Sequence, residues 1–222
     1  MKIALCILAY NSARDLERIL SKSSGYFDDI LILDGGSKDE TPKVAERYGA
    51  RIFYQKQKGY PAAEGKNFLA SNTLADYILV WDTDEDFPIE FLKEMHNIAE
   101  LNHLCYKFPR INLPDWSGWP DYQVRFYRKK DCMWVRRVHE IVAHKSGKPA
   151  DQVDCIILYK YPIRHYPGSL FSRLNRFQRN MHLLIDELKR GSRDFTLDDL
   201  TKEVDFLVSE VKNRYKNQEV VP

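Results

Sequence analysis

Long apolar runs are missing from this 222-residue chain. The longest, Ile3 to Tyr10 and Cys155 to Tyr159, fall far short of the roughly 20 residues that cross a bilayer, so no transmembrane span is expected. Ile3 to Tyr10 sits behind Met1-Lys2 in the place of a signal-peptide core. It runs into Asn11-Ser12-Ala13-Arg14-Asp15, however, which reads as a helix start, and no leader is expected. Cysteine is scarce and scattered. Cys6, Cys105, Cys132 and Cys155 form no CxxC pair, which argues against a zinc site and against a small disulfide scaffold. A reducing compartment, the cytoplasm, is the simpler expectation. An excess of one charge is lacking too: 34 Lys and Arg minus 32 Asp and Glu leave +2, too balanced for a dedicated nucleic-acid binder. No GxGxxG run occurs, which removes the dinucleotide fingerprint, and no internal repeat or low-complexity segment is present.

What is present suffices for a packed core: 44% apolar and 30% charged residues, at a length that fits one domain or one domain with a helical appendage. Residues 1–101 alternate short apolar runs with helical patterns. Strands are expected at Ile3 to Ala9, Ile30 to Leu33, Arg51 to Tyr54 and Tyr77 to Trp81. Helices are expected after Asn11 or Ser12, from Thr41-Pro42 with Thr41 as cap, over Ala62 to Asn72, and after Pro88 with Phe91, Leu92, Met95 and Ile98 on one face. Such alternation implies a mostly parallel sheet covered on both faces. Beyond Leu104 the texture changes: Leu104 to Phe108, Gln123 to Tyr127 and Ile156 to Tyr161 read as strands completing a mixed sheet. Ser169 to Arg190 and Thr196 to Tyr215 read as helices. The expected fold class is therefore α/β, a Rossmann-like mixed sheet flanked by helices over 1–166, with a helical C-terminal extension over 167–222.

In an open parallel sheet, ligands bind beyond the carboxyl ends of the strands. Those ends here carry Ala9-Tyr10-Asn11, Asp34-Gly35-Gly36-Ser37 and Asp82-Thr83-Asp84-Glu85, so polar and acidic groups gather at one edge. Asp82 and Asp84 can converge on a hard divalent cation or stand as solvated turn acids. An EF-hand loop from Asp82 fails, because it has Phe87 and Lys93 where glycine and glutamate are needed. A phosphohydrolase with Asp82 as nucleophile is weakened by Asp86 at the fifth position and by the three βα units ahead of it. Gly59 to Asn67 imitates a P-loop, but with five residues between its glycines and Asn67 in place of Ser or Thr.

Taken together, Ile7-Leu8-Ala9-Tyr10-Asn11, Ile32 to Thr41, Gly65-Lys66-Asn67 and Asp76 to Glu85 resemble the family 2 glycosyltransferases of GT-A type. Asp121-Tyr122-Gln123-Val124-Arg125-Phe126 and Val138-His139-Glu140 look like the lipopolysaccharide-core β-glucosyltransferase branch. The resemblance covers roughly residues 1–185. It implies an inverting transfer of one sugar from a nucleotide-diphospho-sugar donor to a glycan or lipid-linked acceptor of the cell envelope, with Mn2+ or Mg2+. By position, Ala9, Tyr10 and Asn11 would border the nucleotide, Asp34 would accept from base or ribose, and Lys66 would lie near the nucleotide. Asp82 and Asp84 would be the metal-binding acids, Asp82 also bordering the donor. Gly35 stands where the wider family commonly has a second Asp, and the QxxRW signature of processive synthases is absent.

Inverting displacement needs a carboxylate within reach of the acceptor hydroxyl. Glu140 and Asp121 are the candidates, with Glu85 a weaker third, and His139 is expected to complete the metal shell. The loop Pro114 to Pro120 reads equally as a sugar-stacking lid or as self-packing. The basic group Arg125, Arg128, Lys129, Lys130, Arg136 and Arg137 reads first as a solvated strand edge, and second as a surface for an anionic acceptor or membrane. The helix from Ser169 reads first as packing on the catalytic domain, and second as peripheral contact with the inner membrane face or as homodimerisation. The remaining alternative is a nucleotide-sugar-binding protein that kept the fold without the chemistry.

Overall fold

The computed structural model describes residues 1–55, 61–113, 121–137 and 139–166, together with 180–183, 185 and 204. The chain divides into two compact units, Met1–Pro167 and Gly168–Pro222, and the sheet lies in the first. The loop expected at 114–120 lies outside the described residues, and so do nearly all of the helices expected over 169–190 and 196–215. Among the described residues no helix is long and apolar enough to cross a membrane.

The first half forms as its alternating pattern predicts. Strands β1 (Ile3–Ala9), β2 (Asp29–Asp34), β3 (Arg51–Tyr54) and β4 (Tyr77–Val80) run parallel in the order β3-β2-β1-β4. Helices α1 (Ala13–Ser23), α2 (Thr41–Arg47), α3 (Ala62–Ser71) and α4 (Ile89–Glu100) alternate with them. Both faces of β1 are buried, which is why it reads as an unbroken apolar run. Ile3, Leu5 and Ile7 pack on the α1, α2 and α4 side. Ala4 and Cys6 face the other core, to which α3 contributes Ala63, Leu69 and Ala70. Gly65 allows α3 to lie close: a Cβ there would sit 3.0 Å from Leu33 Cδ2 and 3.1 Å from Leu8 Cδ2.

Helix α2 starts one residue earlier than its Thr-Pro signal suggests, with Glu40 rather than Thr41 at the cap. The Thr41 hydroxyl is committed elsewhere. It accepts from the Ser12 N–H at 2.8 Å and donates to Asp39 at 2.6 Å, tying the loops after β1 and β2 together.

The second half turns the sheet mixed. β4 pairs antiparallel with β7 (Asp121–Arg128), and β7 pairs antiparallel with β6 (Cys105–Asn112). On the other side of β6 lie β10 (Cys155–Ile157) and β11 (Ile163–His165), both parallel to it. β11 also pairs antiparallel with the two-residue β5 (Glu85–Asp86). The hairpin β8 (Cys132–Val135) and β9 (Ile141–His144) forms a separate small sheet. The strand expected over Ile156 to Tyr161 ends at Ile157 with β10, and the next strand, β11, opens only at Ile163. The Tyr161 N–H turns back to the Leu158 carbonyl at 3.0 Å, and Pro162 has no N–H to continue a ladder.

Candidate active site

The parallel register brings the strand ends to one rim. Ala9 stands opposite Asp34, and the Trp81 N–H donates to the Cys6 carbonyl at 3.1 Å, so β1, β2 and β4 deliver their carboxyl ends side by side. Asp34 is buried. Its carboxylate accepts from the Gly36 N–H at 3.1 Å, the Ser37 N–H at 3.0 Å and the Ser37 hydroxyl. Three bonds to its own loop occupy most of the roughly four acceptor positions a carboxylate offers. Asn11 holds φ at +48°, a conformation asparagine tolerates better than most residues. Its N–H donates to Ser37 Oγ at 2.8 Å, and its side-chain oxygen accepts from the Lys38 N–H at 2.8 Å. Ala9 is buried beneath this rim, whereas Tyr10 stands exposed on it.

Beside these loops runs a chain of alternating charges drawn from five stretches of the sequence. Asp82, just past β4, approaches Arg125 Nη2 through Oδ2 at 2.9 Å and Lys66 Nζ through Oδ1 at 3.9 Å. Lys66, on α3, donates to Glu140 Oε1 at 2.9 Å and lies 4.2 Å from the centre of the Trp134 ring. The guanidinium of Arg125, on β7, donates to both oxygens of Glu85 at 2.8 and 2.6 Å. Arg110, on β6, meets Glu85 at 3.4 Å and also pairs with Asp121, which accepts from Gln123 at 2.8 Å. The two expected base candidates, Glu140 and Asp121, thus stand at opposite ends of one network. Four carboxylates and three cations leave it one negative charge.

Burial disfavours the ionised form of Asp82, but Lys66, Arg125, Arg110 and His165 outweigh it and hold this carboxyl far below the usual range. The same contest operates at Glu140, where burial pushes the pKa up and Lys66 brings it below the ordinary glutamate value. Burial also opposes the charge on Arg125, and Glu85 and Asp82 override it, so its pKa rises above that of a free guanidinium. Asn67 supports this arrangement by pairing like a strand with the backbone of Trp134. It donates to the carbonyl at 2.7 Å and accepts from the N–H at 2.8 Å. That pairing fixes β8 against α3 and holds the Trp134 ring over Lys66.

Asp84 lies on the same turn. His165 Nε2 approaches its Oδ2 at 3.3 Å, and its backbone carbonyl accepts from the Tyr166 N–H at 2.7 Å. Arg18 of α1 clamps the turn from below, donating to the carbonyls of Thr83 and Glu85 and to the Asp86 carboxylate. His139 is exposed, with φ at +52°. The structure does not gather it with Asp82 and Asp84. Among the described residues no three His, Cys, Asp or Glu side chains stand close enough to share an ion. Asp82 and Asp84 nevertheless fit a magnesium- or manganese-type ion by their chemistry. Both are oxygen donors at the rim, with about a third of each side chain exposed, and such ions take one or two protein carboxylates with the rest of the shell from phosphate and water.

Arg125 corrects the sequence expectation of a solvated basic edge: it is buried and committed to Glu85 and Asp82. The signal for it was the polar spacing of two along β7, Asp121, Gln123 and Arg125, which puts all three on one face. Arg110, His165 and Arg18 carry no comparable local signal.

Residues 4–174 match the family described as glycosyl transferase family 2. A TPR repeat-containing protein of Synechococcus elongatus is 30% identical over 144 residues, covering 64% of this chain and 35% of that protein. An uncharacterized glycosyltransferase of Rickettsia felis is 26% identical over 193 residues, covering 78% of this chain and 65% of that protein. The chain thus spans between about a third and two thirds of these relatives' length. Among solved structures, residues 1–349 of S. aureus TarS in complex with UDP-GlcNAc share the fold. The TM-score is 0.58 at 13% identity, over 85% of this chain and 67% of that one.

Proposed function

Because this chain belongs to glycosyl transferase family 2, we propose that it moves one sugar from a nucleotide-diphospho-sugar donor to an acceptor hydroxyl with inversion. The observation that carries this reading is the Lys66 ammonium shared between Asp82 at the donor rim and Glu140. One buried cation thereby links the place where a diphosphate would lie to a carboxylate able to take a proton. The matching family leaves the phosphohydrolase alternative without support.

In this reading Tyr10 and Asn11 border the nucleotide, with Asp34 shaping the loop that receives it. Asp82 and Asp84 would hold Mn2+ or Mg2+, which supplies positive charge against the departing diphosphate. The net negative charge of the cluster is a reason for such an ion, since the donor's own phosphates would otherwise be repelled. Lys66 and Arg125 keep Asp82 ionised and oriented. Glu140 accepts the acceptor hydroxyl's proton, being ionised at neutral pH and held in place by Lys66. Asp121 is the second candidate base. In this reading the catalytic domain is residues 1–166, and residues 167–222 are a C-terminal extension to it.

A thermal-shift panel of nucleotide sugars, with and without Mn2+, tests donor binding. At a hundredfold excess over Kd the true donor stabilises by about 2.7 kcal/mol, a rise of roughly 5–10 °C at this chain length. The expected result is a shift for one donor that grows with Mn2+ and is lost in Asp82→Asn. Binding with neither transfer nor donor hydrolysis would favour the non-catalytic alternative, and no shift with any nucleotide sugar would overturn the proposal.

A further inference from the structure

The far side of the sheet from the α1 and α4 core holds a group of thiols that the transfer chemistry does not use. Cys105 opens β6 and Cys155 opens β10, and the two are direct partners in the parallel ladder. Neighbouring strands lie about 4.8 Å apart, inside the window of about 4.4–6.8 Å between Cα atoms that a disulfide accepts. Partners in register point to the same face, and Cys155 packs against the core cluster that contains Cys105. All four cysteines are free thiols. Cys105 is buried, whereas Cys155 is only half-buried and reachable from solvent.

The two thiols also differ in acidity. Cys105 Sγ donates to the Asp154 carbonyl at 3.7 Å and Cys155 Sγ to the Ile156 carbonyl at 3.8 Å. The neighbouring Cys105 thiol, with Lys107 on β6, lowers the Cys155 pKa against the opposing effects of burial and Asp151. The Cys155 thiol beside it, with burial, pushes Cys105 up. One accessible, more acidic thiol beside one buried, less acidic partner is the pattern of an attacking and a resolving cysteine.

We propose that Cys105 and Cys155 form a reversible disulfide with a small-molecule disulfide such as oxidised glutathione as the oxidant. The Cys155 thiolate attacks one sulfur of the oxidant, breaking its S–S bond and releasing one small thiolate. Cys105 then loses its proton to solvent, and its thiolate attacks Cys155 Sγ, expelling the second small thiolate. Two protein thiols and one small disulfide become one protein disulfide and two small thiols. The closed loop runs from β6 to β10 and encloses β7, β8 and β9, hence Asp121, Arg125, Trp134 and Glu140. Oxidation therefore ties down the part of the site that comes from the second half of the sequence.

The test uses the full chain, reduced, freed of reductant and equilibrated with glutathione buffers of rising oxidised fraction at pH 8. Non-reducing proteolysis and mass spectrometry should give a peptide pair joined through Cys105 and Cys155, with loss of two hydrogens and complete reversal by dithiothreitol. The thermal midpoint should rise by about 5–10 °C on oxidation, as expected for closing a loop of this length. The double variant Cys6→Ser/Cys132→Ser should keep both responses, and Cys155→Ser should lose both while remaining folded when reduced. A linkage through Cys132 would overturn the proposal, as would glutathione left unresolved on Cys155 or two thiols still titrating at the most oxidising potential.

Discussion

Replacing Lys66 by Met removes one charge from the centre of the network and little volume. The ammonium it deletes lies 2.9 Å from Glu140 and 3.9 Å from Asp82. At the effective dielectric suited to such sites, a pair about 4 Å apart is worth about 4 kcal/mol before solvent responds. Water recovers part of this, because the Glu140 and Asp82 side chains keep 24% and 32% of their exposure. Breaking a buried ion pair from one side costs about 3–5 kcal/mol, and the lower end is expected here. Urea denaturation at pH 7.5 should therefore show a loss of about 3 kcal/mol with an unchanged m-value.

The pH dependence separates this cause from lost packing. In the parent protein Glu140 has a lowered pKa, so its contribution is present above the unfolded glutamate value and is lost as pH falls through the folded one. Without Lys66, burial becomes the leading influence and raises the Glu140 pKa. The variant then binds a proton on folding, and its deficit shrinks by about 1–2 kcal/mol between pH 7.5 and pH 4.5. Adding Glu140→Gln to Lys66→Met should restore a similar amount at pH 7.5. A deficit that stays flat across this range, together with strictly additive single and double variants, would refute the reasoning.

Arg125→Gln leaves Glu85 buried with its main partner gone and should cost about 3–5 kcal/mol in urea, partly restored by Glu85→Gln in the same chain. Gly65→Ala gains helix propensity but forces Leu8 and Leu33 aside, for a net loss of about 1 kcal/mol and a measurable drop in donor affinity, because Lys66 is the next residue. A stabilised Gly65→Ala with unchanged donor affinity would mean that α3 has room to spare. Glu140→Gln should lower kcat by about 10²–10⁴-fold in a transfer assay, with donor-induced thermal shifts retained. If Asp121→Asn does this instead and Glu140→Gln does not, the proton acceptor is Asp121.

The legible and hidden parts of this molecule differ in sequence range. β1, β2 and β4 are buried on both faces and so announce themselves as apolar runs, and the polar residues that end them mark the rim. Asp34, Lys66, Asp82 and Glu140 could each be picked out by motif. Their pairing could not, since Lys66 meets Glu140 across 74 positions and Asp84 meets His165 across 81. The two-residue β5 offers no periodicity to detect, and it exists because β11 arrives alongside it. The Thr41 hydroxyl misled for a related reason: a good capping residue was taken up by a neighbouring loop.

The borders of the sheet have a bearing on how the protein keeps to itself. The strand order ends on one side in β3, four residues long, and on the other in β5, two residues long, with the three-residue β10 beside β6 off that path. Arg51 opens β3 with its guanidinium bound to Asp29 and to the Asn72 carbonyl, and Asp86 in β5 is gripped by Arg18 and Lys22. Brief, charge-guarded margins give a stray extended chain little backbone to zip onto. Two copies of this sheet therefore meet with little unpaired edge backbone through which to join.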